Sequence, residues 1–264
     1  MIKLKKLLKE DDRVLITRRS PEERQKNYQI TIQRKIQQIK NGAKGDLILT
    51  NEIPVTIDSL PDNFHVQGNL KLVSIPIKSL PDNLKVDGKL EISECDYLKD
   101  LPTNLIVGGD LDLIDLKIQA LPANLSVGGD IWISDVNFKS LPNSLIINNS
   151  LSLIRVPIQI LPDNLKVPGN LDLSHCEYLK SLPSNLIVGK DLTLKDCKNI
   201  KSLPDNLKVP GDLRVFDTNI QEIPKNLQVG NYFYFSSYGT IFKKYSDSQL
   251  KKMLPGVNTL HRLF

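Results

Sequence analysis

Between Leu60 and Phe235 apolar residues return in one fixed phrase. The copy LPDNLKVPGNLDL, from Leu161 to Leu173, reads Leu-Pro, then Leu-x-Val, then Gly, then Leu-x-Leu. Leu-Pro or Ile-Pro pairs begin at 60, 80, 101, 121, 141, 161, 182, 203 and 223, in steps of 20 or 21 residues. One such unit cannot bury its own apolar face, whereas a stack of them can, so this period predicts a solenoid. Neither a coiled coil nor a membrane span fits it.

Within a unit, Leu-x-Leu (Leu171-Asp172-Leu173) alternates apolar and polar, the mark of a short strand with one buried face. Neighbouring units supply Leu151/Leu153 and Leu192/Leu194 in the same places, which stack into a parallel sheet at about 4.8 Å per strand. Leu-x-Val, as in Leu165-Lys166-Val167, reads as a second short extended piece. The Gly two residues before the first strand Leu (Gly68, Gly88, Gly109, Gly129, Gly169, Gly211) is expected in a tight turn with positive φ. Asn149, Asn231 and Lys190 replace it in three copies. Pro at the corner removes a backbone donor and suits a bend. With residues 45–61 as an earlier coil, the expectation is a parallel β solenoid of about ten coils of 20–21 residues, Gly45 to Phe235, roughly 45–50 Å long.

The ends break the pattern. Residues 20–42 read as a helix: Ser20 and Glu23 form a capping box, Pro21 takes the first helical position and Gly42 the stop. Tyr28, Ile32, Ile36 and Ile39 form one apolar face, expected to cover the first coil. A second short helix follows Ser246 and ends before Pro255. Three parts result: a basic N-terminal segment with capping helix (1–44), the solenoid (45–236) and a C-terminal cap (237–264). The formal charge of +5 hides their difference. Residues 1–44 carry +8 and 237–264 carry +4, while 45–236 carry −7. Basic ends on an acidic body weaken any reading of the whole chain as a nucleic-acid binder, leaving that role to the ends. Lys3, Lys5, Lys6, Lys9, Arg13, Arg18, Arg19, Arg24 and Arg34 are the residues available for it.

Leu171-x-Leu173-x-x-Cys176, then Leu179, then Leu182-Pro183 resembles a leucine-rich repeat, especially the short bacterial type with LPxxL corners. The resemblance covers about residues 45–235. It implies a leucine-rich-repeat-like solenoid and, most often, a protein-binding role. The added Leu-x-Val-x-Gly departs from the family, leaving the coil shape between a leucine-rich-repeat horseshoe and a β-helix-like form. The variant is also similar to repeats common in bacteriophage and bacterial genomes. Bacterial effectors with similar repeats carry a separate ubiquitin-ligase domain, for which the 28 residues after 236 are too few.

Stacked strands present outward residues as columns, on the face solenoids use for binding. The candidate partner-binding residues are Lys71, Glu91, Asp110, Asp112, Ile114, Asp130, Trp132, Ile154, Asp172, Arg214, Phe216 and Tyr234. Trp132, the single tryptophan, stands on an otherwise polar face with Ile114 and Ile154 diagonal to it. That is the composition of a hot spot, or of local packing within the sheet. Asp110, Asp112 and Asp130 crowd one another, which calls for a basic partner surface, a divalent cation or plain solvation. Phe216 with Tyr234 forms a second, weaker patch.

Catalytic chemistry does not converge anywhere. Cys95, Cys176 and Cys197 each follow the second strand apolar residue by three positions, where other coils place Leu116, Val136, Val156 and Thr218. That makes them inward core residues. All three belong to 21-residue coils. His175 beside Cys176 is set in the chain to point away from its neighbour, so neither a zinc site nor a Cys–His nucleophile is expected. A polysaccharide enzyme would need acids and aromatics in one groove, and only Asp110/Asp112/Asp130 with Trp132 offers them. The expectation is no enzyme, no cofactor and no metal. A free, odd set of three cysteines fits a reducing compartment, and the start of the chain lacks the unbroken apolar run of a secretory signal. These point to a cytoplasmic protein, with virion association as a further setting. The function expected is a scaffold that binds a protein partner through its strand face. The alternatives are a component of a phage particle or large assembly docked by its basic ends, and nucleic-acid attachment through the basic termini. The oligomeric state and the identity of the partner are not legible.

Overall fold

The computed structural model describes residues 20–51, 56–222, 224–236 and 242–263. α1 (Pro21–Lys40) opens the described chain. Seventeen strands follow it: β1 (Leu47–Thr50), β2 (His65–Val66), β3 (Leu70–Val73), β4 (Lys85–Val86), β5 (Leu90–Ser93), β6 (Ile106–Val107), β7 (Leu111–Ile114), β8 (Ser126–Val127), β9 (Ile131–Ser134), β10 (Leu151–Ile154), β11 (Lys166–Val167), β12 (Leu171–Asp172), β13 (Ile187–Val188), β14 (Leu192–Thr193), β15 (Lys208–Val209), β16 (Leu213–Val215) and β17 (Gln228–Ser236). α2 (Asp247–Met253) and β18 (Val257–Leu263) close it.

The Leu-x-Leu strands stack in the order β1-β3-β5-β7-β9-β10-β12-β14-β16-β17, ten parallel strands joined by nine turns. Their register matches the repeat: Leu111 pairs with Ile131, Leu151 with Leu171 and Leu192 with Leu213. Alternation buries the first and third residues of each strand and leaves the second outward. The Leu-x-Val pieces form their own parallel ladders, β2-β4-β6-β8 and β11-β13, while β15 joins the start of β17. One apolar core runs unbroken from Ile32 of α1 to Val257. The fold is thus a parallel β solenoid, leucine-rich-repeat-like in architecture, with helical caps at both ends.

Residues other than glycine take the left-handed region at two kinds of corner: after the strand in eight coils, and at the LPxN position in five, but not at Asn124, Ser144, Asn164 or Asn185. One is the Asn of LPxN, as at Asn63 (φ 52°), Asn83 (58°) and Asn206 (62°). The other follows the strand, as at Ser74 (52°), Asp135 (56°) and His175 (60°). Asn tolerates this conformation best after Gly. Here it also links coils: Asn104 Nδ2 donates to Asn83 Oδ1 at 3.1 Å and Asn124 Nδ2 to Asn104 Oδ1 at 3.2 Å.

The glycine column has a different cause from the one expected. Among the described glycines only Gly42 and Gly45 have positive φ. What the column needs is the absence of a Cβ. One added at Gly68 would lie 2.5 Å from the Gly45 carbonyl carbon, and one at Gly109 would lie 2.9 Å from that of Gly88. Successive coils touch backbone to backbone there. Where Asn148 and Asn149 replace the paired glycines of the two preceding coils, the Leu-x-Val ladder stops at β8 and resumes at β11.

The caps match the sequence reading and extend it. Ser20 Oγ accepts the Glu23 N–H at 3.2 Å, and the Glu23 carboxylate accepts the Ser20 N–H at 3.0 Å. Ile32, Ile36 and Ile39 are buried against the first coil, with Tyr28 partly buried beside them. At the other end Ser246 and Gln249 form a second capping box, and Leu250 and Leu254 are buried. The addition is β18, which pairs parallel with β17 and carries the sheet one strand past the repeats.

Candidate partner-binding face

The outward middle column is continuous in register: Lys71, Glu91, Asp112, Trp132, Ser152, Asp172, Thr193, Arg214, Tyr234 and then His261 of β18. The structure therefore places the predicted residues on one surface, in two groups.

The first group surrounds Trp132. Its side chain is 47% exposed in the middle of the sheet. Ile114 and Ile154, both half-buried, flank the small Ser134 two residues further along the same face. Among the described residues no ring packs on the indole and no acceptor takes its N–H. Lys71 pairs with Glu91, and Lys89 pairs with Asp112. The hydrogen bond to Asp112 raises the pKa of Lys89, so this lysine is held charged.

The acids beside Trp132 already have structural work. Asp110 Oδ1 accepts the N–H of Asp130 at 2.9 Å, and Asp130 Oδ1 accepts the N–H of Ser150 at 2.9 Å. The same bond joins Asn69 to Lys89, Asn170 to Asp191 and Asp191 to Asp212. This pre-strand column is a ladder of side-chain acceptors, each satisfying a backbone donor one coil ahead. The sequence signal for it was the run of Asp, Asn and Ser before each strand. Asp172 bends back along its own chain on the same outward face, accepting the N–H of Ser174 at 2.9 Å.

The second group lies at the last coils. Tyr234 is its centre: Phe216 lies 6.1 Å away, Tyr232 5.6 Å and His261 5.2 Å between ring centroids. The Arg214 guanidinium sits 5.5 Å over the Tyr234 ring and pairs with Asp191 at 3.1 Å and with Asp212. The patch at Phe216 and Tyr234 is thus larger than the sequence indicated. His261 was missed because β18 belongs to no repeat.

The His–Cys pair separates. His175 occupies a left-handed corner with Nδ1 3.4 Å from Asp196 Oδ2. Cys176 is fully buried, and its thiol donates to the Leu153 carbonyl at 3.2 Å. Burial pushes its pKa up to about 12 and that of Cys197 further still. The extra residue of the longer coils forms a tight turn right after the cysteine, closed by Leu98 N–H to Cys95 O at 3.0 Å and Leu179 N–H to Cys176 O at 3.1 Å. These turns hold Tyr97 and Tyr178 out in solvent.

Among the described residues, no three His, Cys, Asp or Glu side chains converge as a metal ion requires. No described helix is long and apolar enough to cross a membrane. Of the basic residues proposed for nucleic-acid or particle attachment, Lys3, Lys5, Lys6, Lys9, Arg13, Arg18 and Arg19 lie outside the described residues. Arg24 and Arg34 are exposed on α1. No family model, curated protein or solved structure matches the chain.

Proposed function

We propose that this chain is a non-enzymatic interaction scaffold that binds a protein partner across its exposed strand face, centred on Trp132. One observation carries the reading. A large aromatic side chain is held 47% exposed on a rigid sheet with aliphatic neighbours and no packing partner among the described residues. An aromatic in that setting is the usual anchor of an interface, worth about 2 kcal/mol or more on truncation to alanine. The sheet around it is set by the stack and needs no ordering on binding, which lowers the entropic cost of association.

The test is affinity capture from the native host, identification of the retained protein, and titration of that purified partner against wild-type and Trp132→Ala chains. The expected result is a loss of about 30-fold or more in affinity. An unchanged affinity, with the variant shown folded by circular dichroism, overturns the reading.

A further inference from the structure

We infer that the Trp132 patch receives an arginine side chain from a basic segment of the partner, held between the indole and the carboxylates of Asp110 and Asp130. This rests on the strand face being a docking surface and adds the chemistry of what docks.

The charge of the face is uneven. Over the outward positions of the first half, from Asn69 to Asp172, Lys71 and Lys89 stand against Glu91, Asp110, Asp112, Asp130 and Asp172, a net of −3. Over the second half, Lys195 and Arg214 balance Asp191 and Asp212. The negative half is the one that holds Trp132. Asp130 precedes Trp132 by two residues and so shares its face, while Asp112 is its direct neighbour across the strands. Asp112 is taken by Lys89. Asp110 and Asp130 each use one oxygen on a backbone N–H, and neither has a cation within ion-pair distance among the described residues.

Elsewhere on this face the same kinds of group hold a guanidinium, in a different arrangement. At the last coils the pre-strand carboxylates Asp191 and Asp212 and the ring of Tyr234 together hold Arg214. Around Trp132 the successive pre-strand carboxylates Asp110 and Asp130 recur, but Trp132 itself stands at the position that Arg214 takes there, and none of the described residues brings an arginine to them. A guanidinium fits better than an ammonium because it stacks flat on indole while donating two parallel hydrogen bonds at its edge. Ile114 and Ile154 provide an apolar wall for its methylene stem.

The single tryptophan makes the site self-reporting, because all indole emission comes from Trp132. Three synthetic peptides of equal length and apolar content, carrying arginines, lysines or glutamates, are titrated while Trp132 emission is followed. The arginine peptide is expected to give a saturable change, the lysine peptide a weaker one and the glutamate peptide none. In an Asp110→Asn/Asp130→Asn variant, which keeps both acceptor oxygens for the ladder, the arginine peptide is expected to bind at least about tenfold more weakly. Equal responses to arginine and glutamate peptides, or undiminished binding by the double variant, overturn the inference and leave the docking reading standing. No response to any peptide, with partner capture still dependent on Trp132, does the same. Partner capture independent of Trp132 overturns the docking reading itself.

Discussion

Asp130 Oδ1 accepts the backbone N–H of Ser150 at 2.9 Å, one full coil ahead of it. A residue that looks like surface charge is therefore a clamp between coils. Replacing it with alanine leaves a part-buried donor unpaired, at a cost of about 1–3 kcal/mol. Asp130→Asn keeps the acceptor. Urea unfolding is expected to show a clear drop in midpoint for Asp130→Ala and a small change for Asp130→Asn.

The glycine column predicts a steric effect. At Gly109 an added Cβ would meet the Gly88 carbonyl carbon at 2.9 Å and the Lys89 nitrogen at 3.0 Å, all backbone that cannot rotate away. Gly109→Ala is expected to cost about 1–3 kcal/mol through forced separation of two coils. Loss of amide-exchange protection should centre on Lys85–Val86 and Ile106–Val107, the ladder beside it. A variant as stable as the wild type would show that the coils can spread freely at this corner.

What the sequence revealed and what it hid follow from one distinction. Features repeated nine times were legible: the strands, their register through Leu111, Ile131 and Leu151, and the outward column through Trp132. The helical caps were legible because Ser20/Glu23 and the Tyr28–Ile39 face carry local signals. Features set by one coil touching the next were hidden. Gly68 and Gly109 read as tight turns with positive φ, yet their role is to admit a neighbouring backbone. Asp110 and Asp130 read as exposed charge, yet each bonds a donor 20 residues away. β18 is a single unrepeated strand after Pro255, with a register shift between Val229 and Tyr232, so no period announced it.

Asp135 and Arg155 form a two-pronged pair, Nε to Oδ1 at 2.6 Å and Nη2 to Oδ2 at 2.7 Å. The arginine's hydrogen bonds hold the Asp135 carboxyl below the usual carboxylate range. A lowered carboxylate pKa contributes stability above the unfolded value, about 3.9, and that contribution is lost as pH falls through the lower folded value. Both side chains are well exposed, so the contribution is below about 1 kcal/mol. The difference in urea midpoint between wild type and Arg155→Gln is expected to be small at pH 6 and to shrink further as pH falls below about 4. A difference that grows in acid would contradict this assignment.

The cysteines make the last prediction. Cys95, Cys176 and Cys197 are all fully buried, and each thiol lies within sulfur hydrogen-bond range of a backbone carbonyl: Leu72, Leu153 and Leu173 respectively. Thiolate is the reactive form, and burial raises the pKa of all three. At pH 8 the folded chain is expected to resist iodoacetamide, with all three thiols modified once denaturant is added. Because the cysteines sit in coils along most of the stack, their labelling reads how the solenoid opens. If the stack unfolds as one unit, Cys95 and Cys197 are alkylated at the same rate across a denaturant series. If the ends fray first, Cys197, nearer the C-terminal cap, reacts ahead of Cys176. Rapid labelling of any one of them without denaturant would show that its coil is not closed.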